Sequence, residues 1–229
     1  MLFDALGTLV ELEPPVPRLR EELSRQARLE VSEAEAERAL AAEISYYRAH
    51  LGEGHDAESL ARLRRKCTEV LREALPERAH ATELEPLQTI LLDALRFRAF
   101  PDAAAAIAAM RRLGARVGVV SNWDISLEQV LRRVGLAPAL EGVITSAGAG
   151  ARKPDPRIFA RALELLGAQA ARTVHVGDSL AEDVAGARAA GISPILLRRD
   201  GAPGPPGVTT IANLELLGGA LAVPPASQS

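Results

Sequence analysis

Apolar positions along the chain change period near residue 100. From about residue 17 to residue 96 they recur every three to four residues, which predicts four amphipathic helices over 17–29, 33–51, 57–75 and 83–96. Leu60, Leu63, Cys67, Val70 and Leu71 fall on one face of the third. Ser32 with Glu35 and Thr82 with Glu85 fit the S/T-x-x-E capping box, and Asp56 stands where an N-cap belongs. These helices predict an insert with its own small core.

Beyond Phe100-Pro101 short apolar runs alternate with helical stretches. The pattern predicts helices over 102–113, 127–134, 156–166 and 181–190, and strands over 116–120, 142–145, 173–176 and 194–197. Gly114 and Gly135 close the first two helices. Alternation of this kind calls for a parallel sheet with right-handed crossovers. The fold class expected is therefore α/β, a doubly wound, Rossmann-like sheet with an inserted helical cap. Residues 1–12 and 100–229 would form the core and residues 13–99 the cap. The tail beyond Gly201, with Pro203, Pro205, Pro206, Pro224 and Pro225, is expected to be loosely held.

Candidate chemistry gathers at strand ends. The run Thr173-Val174-His175-Val176 stops at Gly177-Asp178, and Asp183 follows five residues later. The opening run Met1-Leu2-Phe3 stops at Asp4. Strands of an open parallel sheet present such residues at their C-terminal edge, where ligands bind. Three carboxylates there repel one another unless a hard cation lies between them, and oxygen ligands suit Mg²⁺. Val117 to Val120 leads to Ser121, Asn122 and Trp123, and Lys153 stands just before a helix start. Only three residues precede Asp4, against a mean strand of about 5 to 6. The natural start is expected a few residues upstream.

The order Asp4, Ser121, Lys153, Asp178 with Asp183 resembles the four motifs of the haloacid dehalogenase superfamily, over nearly the whole chain. The resemblance implies a hydrolase in which Asp4 forms a covalent aspartyl intermediate. It implies that Ser121 and Lys153 hold the transferred group. Asn122 and Trp123 directly follow Ser121 and are candidates for substrate contact, with a loop-shaping role for Asn122 and packing under the insert for Trp123 as the alternatives. Asp4, the Leu6 carbonyl, Asp178 and Asp183 would hold Mg²⁺, and the cap would close over the site and supply substrate contacts, with Tyr46, Tyr47 and Arg48 as candidates. Leu6 departs from the pattern, since phosphatases of the superfamily carry an aspartate there that serves as general acid and base. The leading expectation is a Mg²⁺-dependent hydrolase of a small phosphorylated or otherwise anionic metabolite. A metal-free dehalogenase and a non-catalytic member of the family are its rivals. Dehalogenases of the superfamily lose the Gly-Asp of the last motif, which this chain keeps.

Composition narrows the setting. A net charge of −3 gives no basic field for nucleic acid. No run of about 18 apolar residues predicts a membrane span, and no charged lead with an apolar block predicts a signal peptide. Cys67 is the single cysteine, which suits the cytoplasm and is read as a small buried hydrophobe. Oligomeric state leaves no mark in the sequence. Among 27 basic residues only Lys66 and Lys153 are lysine. Lys66 reads as a surface residue, whereas Lys153 suits a narrow site that takes a point charge rather than a planar fork. His175, within an apolar strand, is expected to be a hydrogen-bonded core or interface histidine. His50, His55 and His80 lack metal-ligand spacing.

Overall fold

The computed structural model describes residues 1–222. Its chain divides into two compact units, Met1–Glu11 with Ala99–Ser229, and Leu12–Arg98.

Eight strands occur among the described residues: β1 (Leu2–Phe3), β2 (Val10–Leu12), β3 (Phe97–Ala99), β4 (Gly118–Ser121), β5 (Gly142–Thr145), β6 (Val174–Gly177), β7 (Ser193–Leu197) and β8 (Thr210–Ile211). Six form one sheet in the order β5-β4-β1-β6-β7-β8, and β2 and β3 form a separate two-stranded sheet. Every pairing in the larger sheet is parallel. The chain winds outward from β1 through β4 to β5, then returns to the other side of β1 to place β6, β7 and β8. That reversal at β1 opens a crevice at the C-terminal strand ends, the usual ligand position of a doubly wound sheet.

The strands are apolar because both faces are covered. Gly118 through Ser121 are all buried, as are Leu2 and Phe3. One face packs Leu2 and Val120 against Ile158, Phe159 and Leu166 of a helix, with Ala187 and Ile192 joining them. Helices of this unit are α5 (Ala103–Arg112), α6 (Leu127–Arg133), α7 (Ser146–Ala149), α8 (Pro156–Leu166), α9 (Ala185–Ala189) and α10 (Leu217–Ala222). Pro156 opens α8 and Gly167 in the left-handed region ends it.

The helical unit contains α1 (Pro15–Ala27), α2 (Glu33–His50), α3 (Ala57–Ala74) and α4 (Leu84–Ala94). Leu19 and Leu23 of α1, Leu40 of α2, Leu63, Cys67 and Leu71 of α3, and Leu87 and Ile90 of α4 meet in one cluster. Ser32 and Glu35 form the reciprocal box at the start of α2, and Asp56 with Ser59 does the same for α3. The box expected of Thr82 and Glu85 does not form. Thr82 is held by its backbone to Ala79 in the preceding turn. Glu83 therefore becomes the N-cap of α4, without a side-chain hydrogen bond, and Glu85 falls one position too early to reach back.

The region after Gly201 is less loose than expected, because β8 pairs with β7 and α10 follows. Pro224 and Pro225 lie outside the described residues. No helix among the described residues is long and apolar enough to cross a membrane.

Candidate active site

The register of three neighbouring strands brings distant residues together. Leu2 lies opposite both Gly118 and His175, and Phe3 opposite both Val119 and Val176. Asp4 therefore leaves β1 level with the ends of β4 and β6, where Ser121 and Asp178 stand. The Asp4 N–H donates to the Val176 carbonyl at 2.8 Å and fixes the start of the following turn. Within that turn the N–H groups of Leu9 and Val10 both donate to the Ala5 carbonyl, at 2.8 and 2.9 Å.

Asp4 is buried, and its Oδ1 accepts from Ser121 Oγ at 3.0 Å and from Lys153 Nζ at 2.5 Å. The same ammonium donates to Asp183 Oδ1 at 2.6 Å. Lys153 is 2% exposed, so its charge is spent almost wholly between these two carboxylates. Asn122 sets the lysine's backbone: Asn122 Oδ1 accepts from the Lys153 N–H at 2.7 Å, and its amide nitrogen donates to the Lys153 carbonyl at 3.1 Å. Trp123 is buried, and its backbone N–H donates to Ser146 Oγ at 3.1 Å.

Burial, set against the Lys153 charge and reinforced by Asp183, raises Asp4 above the usual carboxylate range. Burial by itself would lower Lys153, but Asp4 and Asp183 hold its proton more tightly than usual. Asp183 resists its own burial through the Lys153 charge and a His175 hydrogen bond, and lies below the usual range. Asp178 is exposed as a residue, yet burial of its carboxyl group, with the charges of Asp4 and Asp183 adding to it, pushes it up to about 7.

One oxygen from each of Asp4, Asp178 and Asp183 can be chosen so that all lie within 4.8 Å of one another. An all-oxygen donor set whose members raise one another's proton affinity fits a hard divalent cation such as Mg²⁺. Two glycines make room for the Asp178 and Asp183 side chains. A Cβ on Gly7, which has φ +82°, would lie 2.1 Å from Asp178 Oδ2, and one on Gly177 would lie 2.1 Å from Asp183 Cγ. Asp183 itself leaves a five-residue π-helical turn, Leu180–Val184, a local widening common at functional sites.

A family model of haloacid dehalogenase-like hydrolases matches residues 1–191. The chain belongs to that family. It is 43% identical over 103 residues to haloacid dehalogenase-like hydrolase domain-containing protein 3 of Danio rerio, covering 44% of this chain and 43% of that protein. It is 40% identical over 126 residues to a plasmid-encoded phosphoglycolate phosphatase of Cupriavidus necator, covering 55% and 54%. The matches thus span about half the length of these curated relatives. Among solved structures, a haloacid dehalogenase family phosphatase from Thermococcus onnurineus aligns over 98% of both chains with 27% identity and a TM-score of 0.68. A 2-haloacid dehalogenase from Pseudomonas syringae pv. Tomato DC3000 gives the same TM-score over 96% of both chains, at 26% identity. The fold alone is therefore shared by both reaction classes.

Of the residues singled out in the sequence, Asp4, Ser121, Lys153, Asp178 and Asp183 meet at one strand edge, and Asn122 meets them through the backbone of Lys153. Leu6 follows Asp4 in the tight turn, with a side chain 40% exposed. Sequence reasoning passed over Arg199, which braces that turn. Its guanidinium donates to the carbonyls of Gly7 at 3.2 Å and Thr8 at 2.8 Å, pairs with both oxygens of Asp102 at 3.0 and 3.1 Å, and lies 3.6 Å above the Phe100 ring. Nothing in one arginine among many marks it in the sequence. The Phe100-Pro101-Asp102 step, with an acid just before a helix, was the available signal.

Proposed function

We propose that the chain is a Mg²⁺-dependent phosphohydrolase of a small phosphorylated metabolite, working through a covalent intermediate on Asp4. The observation that carries the reading is the convergence of Asp4, Asp178 and Asp183 around one point with Lys153 wedged between two of them. Asp4, the Leu6 carbonyl, Asp178 and Asp183 would hold the cation. Bound there, Mg²⁺ would neutralise charge on the transferred phosphoryl oxygens. Both hydrogen bonds to Asp4 fall on Oδ1, so Oδ2 is left without a donor among the described residues and is the oxygen able to attack.

In the first step an Asp4 carboxylate oxygen bonds to phosphorus as the bond from phosphorus to the departing oxygen breaks. Lys153 and Ser121 hold the carboxylate in line, and Lys153 offsets the charge that develops. Water then attacks phosphorus, which returns the Asp4 carboxylate and releases inorganic phosphate. The helical unit takes the role of a cap and selects the substrate.

The dehalogenase reading needs neither the cation nor Asp178, whereas this chain assembles three carboxylates and clears space for two of them with Gly7 and Gly177. A panel of alkyl, aryl and acyl phosphates and 2-haloacids, each with millimolar Mg²⁺ or chelator, tests the choice. Phosphate release that needs Mg²⁺ is expected. Halide release that survives chelator would overturn the reading.

A further inference from the structure

His175 lies at the centre of β6, fully buried, and the recipient of its hydrogen bond is specific. Its Nε2 is 2.8 Å from Asp183 Oδ1, the oxygen that also accepts from Lys153 Nζ at 2.6 Å. The other oxygen, Oδ2, accepts the Ser179 backbone N–H at 3.0 Å. Three donors from three separate chain positions thus converge on one carboxylate. Phe159 meets the imidazole edge-on at 4.9 Å between ring centres, and Nδ1 has no hydrogen-bond partner among the described residues.

An ionised carboxylate only accepts, so the 2.8 Å contact requires the ring hydrogen on Nε2. With the hydrogen on Nδ1, two acceptors would face each other and a buried N–H would be left without an acceptor among the described residues. The bare Nδ1 lone pair is still a cost to bury, which an apolar side chain in this strand would avoid. Packing therefore does not account for an imidazole here, whereas the donor to Asp183 does.

We propose that His175 is a positioning residue: its Nε2–H locks the Asp183 carboxylate against Lys153, which keeps the lysine on Asp4 and the acidic cluster in the geometry that binds the cation. The inference rests on the Mg²⁺ reading of the cluster and extends it to a residue outside the ligand set. Partners that orient ligands typically matter 10- to 100-fold for metal affinity or activity.

The full chain and two variants test it. His175→Phe fills the space without a donor, and His175→Gln carries an amide N–H at a reach close to that of Nε2. Calorimetric titration with MgCl2 alone should show His175→Phe weakened by roughly 10- to 100-fold and His175→Gln within about threefold of the parent. On an aryl phosphate under saturating Mg²⁺, kcat should fall in His175→Phe with little change in KM and recover in His175→Gln. Nitrogen-edited NMR of the parent chain in chelator, which does not depend on any variant folding, should place the His175 hydrogen on Nε2. A hydrogen on Nδ1, a His175→Phe affinity equal to the parent's, or a His175→Gln as weak as His175→Phe would each overturn the proposal. A parent chain that binds no Mg²⁺ in the same titration would bring down the metal reading and this inference together, whereas a parent that binds while His175→Phe matches it removes the inference alone.

Discussion

Lys153 leaves no space for a wider head. Its ammonium fits between Asp4 and Asp183 at 2.5 and 2.6 Å, almost wholly out of solvent, in a chain that otherwise uses arginine nearly everywhere. A guanidinium needs a planar fork's width and cannot take a point-charge site. Lys153→Arg should therefore lose nearly as much kcat/KM as Lys153→Ala, each roughly 10²- to 10³-fold, the scale seen when one preorganised donor is removed. Steady-state assays on an aryl phosphate check this, and an arginine variant with full activity would refute it. Leu6 supports a second prediction. If Leu6 leaves the departing oxygen without an acid, aryl and acyl phosphates should outpace alkyl phosphates, and rapid mixing should show a burst as the aspartyl phosphate on Asp4 accumulates. Because the Leu6 side chain is 40% exposed, Leu6→Asp adds a carboxylate without emptying a core position. Turnover of alkyl phosphates should rise by roughly 10²- to 10⁴-fold, the value of a positioned acid or base. A folded, Mg²⁺-binding Leu6→Asp protein with no gain on any ester would show that this carboxylate is not what limits the chain.

At the scale of elements, α2 carries an unexpected charge. Glu43 lies on its buried face, one of its oxygens without a partner among the described residues, and burial, only partly offset by a Cys67 hydrogen bond, pushes its carboxyl up to about 7. Unfolded, the same group titrates near 4.5, the ordinary value for a glutamate. The unfolded chain thus gives up this proton first as pH rises. The stability that the neutral form allows is complete below about pH 4.5 and is lost progressively toward pH 7. Glu43→Gln should remove that slope and leave the protein more stable at pH 8, by up to about 2 to 3 kcal/mol. Denaturant melts of both proteins at pH 4.5 and pH 8 decide it, and parallel pH profiles would refute the assignment. Long apolar periods made α1 through α4 legible in the sequence, while β2, β3 and β8, at two or three residues each, are too short to show alternation. Asp4, Ser121 and Asp178 were legible because each ends an apolar run. Gly7 and Arg199 were not, since their meaning depends on approaches between segments far apart in the chain; for His175 a hydrogen bond was legible, but not its partner Asp183.

Across the whole molecule, Asp4, Leu6, Lys153, Asp178 and Asp183 all belong to the unit formed by Met1–Glu11 with Ala99–Ser229, and the helical unit contributes none of them. That unit gathers three carboxylates around the Lys153 ammonium, and Asp178 is pushed up to about 7 by burial and by Asp4 and Asp183. A cation that binds this arrangement binds the folded state alone, because unfolding scatters residues 4, 178 and 183 along the chain. Mass action then fixes the size of the effect. At a free Mg²⁺ concentration 100 times Kd the folded state gains about 2.7 kcal/mol, which for a unit of this size corresponds to a Tm rise of roughly 5 to 10 °C. Calorimetric scans in millimolar Mg²⁺ and in chelator should show that shift. If the two units melt separately, only the transition of the sheet unit should move. Asp178→Asn should abolish the rise while leaving the chelator curve no lower than that of the parent, because it removes a repelling charge along with a ligand. Superimposable scans of the parent in Mg²⁺ and chelator would rule out the cation, and with it the assignment of Asp178 and Asp183 as its ligands.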